Sequence, residues 1–85
     1  MSPAYERVPK RRKAVGARAV TKAICRGSVE KVLVAQDADM KVLRDVLNLA
    51  RQNEIEIAWV LNMKELGEYC GISVGASCCA ILKDK

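Results

Sequence analysis

Arg18, Lys22 and Arg26 stand four residues apart, beginning inside the segment Gly16-Ala17-Arg18-Ala19-Val20-Thr21-Lys22. On an α-helix that spacing stacks three cations along one face. Such a face can reach phosphate oxygens and the acceptor edges of guanine. Gly16, just ahead of the helix, lets a polyanionic backbone come close, and the first amides of the helix favour an anion. Ala17 falls on the apolar side with Val20, Ala23 and Ile24, and Ala19 borders the basic stripe. The chemistry on offer is RNA recognition by a basic helix. Taken alone, Arg18 and Lys22 read as an exposed face kept soluble by charge.

The charge distribution favours the nucleic-acid reading. Met1 to Val29 carries eight Lys/Arg and one acidic residue, a balance of +7, and the remainder balances at −2, giving the net +5. Within the basic third, Lys10-Arg11-Arg12-Lys13 forms a dense run beside the motif. The arm through Lys13 is expected to add phosphate contacts and salt sensitivity. A second candidate surface is Ile72-Ser73-Val74-Gly75-Ala76, an apolar loop containing glycine. Its side chains can cover the face of an unstacked base. Ile72 and Val74 read equally well as core residues at the ends of elements.

Enzymatic chemistry finds little to use. The chain has no histidine to act as a general base near neutral pH. It has neither a Walker-type loop nor a G-x-G-x-x-G fingerprint. The four cysteines, Cys25, Cys70, Cys78 and Cys79, form no C-x-x-C pair and lack the knuckle spacing of a zinc site. They are expected to be small buried hydrophobes in a reducing cytosol, so no metal and no cofactor is expected. A thiol-dependent activity through Cys25 or Cys70 is the remaining enzymatic option.

Eighty-five residues suit one small domain with a single core. No apolar run approaches the roughly 20 residues that span a bilayer, and the basic N-terminus lacks the apolar stretch of a secretory signal. Met1 to Lys13, with Pro3 and Pro9, is expected to be a loose basic arm. Ala17 to Arg26 reads as a helix stopped by Gly27, and Lys31 to Ala35 as a strand covered on both faces. Asp37-Ala38-Asp39 opens a second helix, capped by Asp39, with Val42, Leu43, Val46, Leu47 and Ala50 as its buried stripe and Asn53 at its end. Glu56 to Leu61 is a further strand. Asn62 and Glu65 resemble a capping box that starts a third helix, Met63 to Cys70, closed by Gly71. Cys78 to Leu82 is the last strand. Strands alternating with helices predict an α/β fold with helices on both faces of one sheet.

These motifs, taken together and in order, resemble a known family. Gly16 to Ala23, Val32-Leu33-Val34-Ala35-Gln36-Asp37-Ala38-Asp39 and Leu66-Gly67-Glu68-Tyr69-Cys70-Gly71-Ile72-Ser73-Val74-Gly75-Ala76 are similar to the kink-turn-binding ribosomal proteins of the L-seven-Ae family. The short length is most similar to the small bacterial, YbxF-like members. The resemblance implies a three-layer α/β/α sandwich around a four-stranded mixed sheet. It implies a monomeric, cytoplasmic, non-enzymatic protein whose partner is structured RNA, ribosomal or regulatory, and which associates with the ribosome. The RNA would contain a kink-turn, a duplex bent at a three-nucleotide bulge beside tandem sheared G·A pairs. The helix after Gly16 would enter the widened major groove there, with Lys22 matching the family lysine. Arg18 stands where relatives carry asparagine or lysine, and Ile72 to Gly75 would pack on the extruded nucleotides. Ala19 departs from the pattern, because relatives carry glutamate or glutamine at the position facing the guanines. That loss keeps a second reading open: a protein-interaction or scaffold domain of the same fold that no longer recognises a specific RNA.

Overall fold

The computed structural model describes residues 9–83. A 3-10 turn at Lys10–Arg12 leads into strand β1 (Lys13–Val15). Helix α1 (Ala17–Cys25), strand β2 (Val29–Ala35), helix α2 (Met40–Gln52), strand β3 (Glu56–Val60), helix α3 (Met63–Cys70) and strand β4 (Cys78–Leu82) follow. The strands lie in the order β1-β4-β2-β3. β4 runs antiparallel to both β1 and β2, and β3 runs parallel to β2, so the sheet is mixed.

Strand alternation fixes which residues share a face. The Lys13 ammonium reaches the Tyr69 carbonyl of α3, so Lys13 lies on the α3 side. Its partner Ile81, then Lys31, then Glu56 lie on that same side, and the Lys31–Glu56 ion pair at 3.6 Å agrees. Leu33, Cys79, Ala58 and Val60 therefore face α3. Val32, Val34, Ala80, Ile57 and Trp59 face the packed pair α1 and α2. The two central strands are buried from both sides: Val32 through Ala35 and Cys78 through Ile81 are all core. This is the α/β layering the motif order predicts, with a four-stranded mixed sheet between helices.

Several boundaries differ from expectation. β1 is a fourth strand that hydropathy does not reveal, because it is three residues long, sits at an edge and carries Lys13. Of the expected arm, residues 1–8 lie outside the described residues. Arg12 is fixed: its Nε donates to the Leu82 carbonyl at 3.1 Å and its Nη2 pairs with Glu30 at 3.3 Å. β2 starts two residues early, with an irregularity between Val29 and Lys31 that lets the strand reach Leu82. Val42 is not in the α2 core stripe; it is 45% exposed. Cys25 is exposed at the end of α1, whereas Cys70, Cys78 and Cys79 are buried as expected.

Candidate nucleic-acid interface

β1, β2 and β3 all point the same way, so their C-terminal ends meet at one end of the sheet with the start of β4. All three helices begin there, at Gly16, Asp39 and Asn62, and the loop before β4 returns there too. Main-chain bonds tie these turns together. Gly16 N donates to Cys78 O at 2.9 Å, Ala35 N to Ser77 O at 3.0 Å, and Ala76 N to Met63 O at 3.0 Å. The Asp37 carboxylate accepts from Met63 N at 2.8 Å, which joins the β2–α2 turn to α3.

The three helix starts are not equivalent. Asp39 accepts from Lys41 N at 2.9 Å, and Asn62 accepts from Glu65 N at 2.8 Å, so each caps its own helix. Gly16 has no side chain to do so and no side-chain cap is made at α1. Its φ of 92° also belongs to a region that side-chain-bearing residues rarely adopt. The first amides of α1 are thus open to an external acceptor, at the positive end of the helix dipole.

Arg18, Lys22 and Arg26 are exposed along one side of α1, over roughly 12 Å of helix rise between the first and the last. Ala17 and Ala19 are half-buried beside them. Ala17, Arg18, Thr21 and Lys22 form one wall of a shallow groove of about 310 Å³, and Val42, Asp45 and Val46 of α2 form the other. Val42 and Asp45 carried no motif in the sequence, since only the packing of α2 against α1 brings them to this surface.

The loop Ile72 to Gly75 runs back along α3 from its C-terminal turn, past Gly67 at Val74, and returns at Gly75 to Met63 and the same end of the sheet. Ile72 is half-buried against the core, with its N donating to Gly67 O at 3.1 Å, while Ser73, Val74 and Gly75 are exposed. Val74 is 68% exposed, the largest fraction among the large apolar residues described. Gly67 holds this loop close: a Cβ there would overlap the Val74 carbonyl oxygen. In the sequence Gly67 stands out only as part of a motif, because its role depends on a backbone seven residues later.

Lys13 is placed elsewhere. Its Nζ donates to Tyr69 O at 2.9 Å and stands 3.9 Å from the centre of the Tyr69 ring. It therefore sits on the α3 face, away from the α1 stripe, and holds β1 against the C-terminal turn of α3. Beneath it lie Cys70 and Cys79. A hydrogen bond from Cys79 holds the Cys70 thiol below its ordinary range, against the effect of burial and with help from the Lys13 charge. The same bond and burial push Cys79 up, and burial raises Cys78. With Cys70 only 1% exposed, a substrate has no path to this sulfur. Among the described residues no group of three or more His, Cys, Asp or Glu could hold a metal, and no helix is long and apolar enough to cross a membrane.

Residues 5–85 match the model of the ribosomal protein L7Ae/L30e/S12e/Gadd45 family. An RNA-binding protein of Bacillus pumilus (strain SAFR-032) is 41% identical over 68 residues, 80% of this chain and 83% of the relative. The RNA-binding protein YbxF of Geobacillus stearothermophilus is 36% identical over 80 residues, 93% of this chain and 98% of the relative. Among solved structures, the Giardia lamblia 15.5kD RNA binding protein superposes with a TM-score of 0.82 at 24% identity. That superposition covers 88% of this chain and 63% of the other, and at this identity it speaks for the fold alone.

Proposed function

Because this chain belongs to the ribosomal protein L7Ae/L30e/S12e/Gadd45 family, as a small bacterial member, we propose that it is a non-enzymatic RNA-binding protein that recognises and stabilises a kink-turn. Its relatives in Bacillus pumilus and Geobacillus stearothermophilus are RNA-binding proteins, which supports RNA as the ligand. The observation that carries the finer reading is the meeting of two surfaces at one end of the sheet. The open amides and basic stripe of α1 lie there together with the exposed apolar loop at Val74.

In this reading Arg18, Lys22 and the α1 amides take the phosphates and guanine edges beside the G·A pairs. Arg26, further along the helix, takes stem phosphates. Ile72, Ser73, Val74 and Gly75 cover an extruded base, with Ile72 as the anchor and Val74 as the displayed contact. Gly16 and Ala17 allow close approach. Lys13 contributes by holding β1 to α3, not by touching RNA. Ala19 supplies no hydrogen bond, so discrimination at the G·A pairs is weaker than in relatives with a polar residue there. Binding energy selects the bent RNA over the extended one and shifts that equilibrium. Structured ribosomal or regulatory RNA in the cytoplasm, met by a monomer, is the setting this reading implies.

A duplex carrying a kink-turn, with fluorophores on its two ends, tests the proposal directly. Adding protein without divalent ions should raise energy transfer between the ends. Binding without any rise in transfer would mean that the chain holds RNA but does not bend it. Placing glutamine at Ala19 should tighten binding only where the G·A pairs are intact, by a contact of about 1–3 kcal/mol on the scale of direct base readout.

A further inference from the structure

One lateral edge of the sheet is protected and the other is open. β1 ends one side with three residues, Lys13 among them. β3 ends the other with five, Glu56–Val60, in unbroken parallel register with β2. Proline, charged side chains, bulges and shortness are the usual means of blocking an edge, and β3 carries only Glu56 at its first position, where the carboxylate pairs with Lys31 at 3.6 Å.

The side chains beside that edge are distinctive. Trp59 lies on the α1 and α2 face yet is 49% exposed. α2 turns Val42, Asp45 and Val46 toward α1. Its opposite flank, above β3, therefore carries Met40, Arg44, Leu47 and Arg51 at helical spacing. Leu47 is buried, and the other three are exposed. Met40 at 57% and Leu61 at 62% exposure extend the apolar strip around Trp59. Neither Arg44 nor Arg51 forms an ion pair with a described residue.

We propose that this edge is a docking site for an extended acidic segment of a protein partner. The segment adds as a strand beside β3. Main-chain hydrogen bonds to the open edge give affinity, and alternate side chains meet the Met40, Trp59 and Leu61 strip. Carboxylates on the segment meet the guanidinium groups of Arg44 and Arg51. Charge selects this occupant over a second copy of the chain. Antiparallel pairing of two β3 edges would set both α2 flanks on one side of a joint sheet, arginine toward arginine, in chains of net charge +5. RNA offers no row of amides and carbonyls to match a strand edge.

Trp59 is the sole tryptophan, so its emission reports this patch alone. The full chain is titrated with a tryptophan-free peptide of alternating glutamate and valine, with the lysine–valine counterpart, and with a kink-turn RNA. The glutamate peptide should shift Trp59 emission to the blue and protect it from acrylamide quenching. Arg44→Glu with Arg51→Glu should weaken that response about tenfold or more, with Arg44→Ala plus Arg51→Ala between the two. Arg18→Ala should leave it unchanged, which separates this site from the RNA surface. The proposal is overturned by no response to the glutamate peptide, or by an equal response to the lysine peptide or in the double variants. It is also overturned by a shift with RNA in place of peptide, or by one that grows with the concentration of the chain alone.

Discussion

Substituting alanine for Gly67 sets helix propensity against loop packing, with opposite signs. In an unconstrained helix interior the change would stabilise by about 0.5–1 kcal/mol. Here the new methyl would overlap the Val74 carbonyl oxygen and stand 3.1 Å from the Gly75 Cα. Both neighbours are backbone, so no side-chain rotation relieves the contact. A carbon and a carbonyl oxygen rest roughly 3.3–3.6 Å apart at their closest favourable approach, so the loop must retreat by more than about 1 Å. That movement strains the bonds from Ile72 N to Gly67 O and from Ala76 N to Met63 O. Overpacking of this kind costs about 1–3 kcal/mol. The net expectation is a destabilisation of about 1–2 kcal/mol, a fall of roughly 5–15 °C in Tm for a domain of this size. Because Val74 moves with the loop, affinity for kinked RNA should fall about fivefold, a part of what one base-face contact is worth. Thermal melting by circular dichroism and an RNA titration read both effects, with Glu68→Ala, an exposed neighbour, as a control expected to stay within about 0.5 kcal/mol. If Gly67→Ala melts at or above the parent and binds RNA equally well, the loop is not seated on α3 as described.

Four further outcomes are expected. Lys13→Met should destabilise by about 1–2 kcal/mol, through loss of the bond to the Tyr69 carbonyl and the contact with its ring, yet leave the salt dependence of RNA binding unchanged. Lys22→Met should do the reverse, lowering the slope of log affinity against log salt by about 1 with little change in melting. A thiol reagent added to the folded protein should modify Cys25 rapidly and the buried Cys70, Cys78 and Cys79 only on unfolding, as mass spectrometry of the labelled peptides would show. Burial raises the Cys78 thiol, so its contribution to stability is present below the ordinary thiol range, about 8.5, and is lost as pH rises above it. Melting should therefore decline at alkaline pH, and Cys78→Ala should flatten that decline relative to its own stability at neutral pH.

The parts of the fold legible in the sequence are those written in local pattern. Asp39 and Asn62 announce their helices because a capping side chain sits next to the run it caps. Lys31 to Ala35 reads as a doubly covered strand because every side chain after Lys31 is apolar. What local pattern does not carry depends on distant partners. β1 is too short and too basic to carry a hydropathy signal, and only its register with Ile81, Ala80 and Cys79 makes it a strand. Lys13 looks like the end of a phosphate-binding run, and only the position of Tyr69, far along the chain, turns it inward. Val42 fits the helical stripe of α2, but the angle at which α2 meets α1 leaves it at a groove. Of the candidate surface, the stripe on α1 and the loop at Val74 follow from sequence spacing. That they share one end of the sheet follows only from the parallel run of β1, β2 and β3.

The measurement that bears most directly on the account is affinity for a short duplex carrying a kink-turn, against the same duplex with its G·A pairs changed to Watson–Crick pairs, at low and high salt. A preference for the kink-turn that persists at high salt is expected, because the open amides of α1 and the Val74 loop would read shape as well as charge. Equal binding to both RNAs, falling steeply together as salt rises, would contradict it and leave the basic stripe as an electrostatic anchor on a scaffold domain.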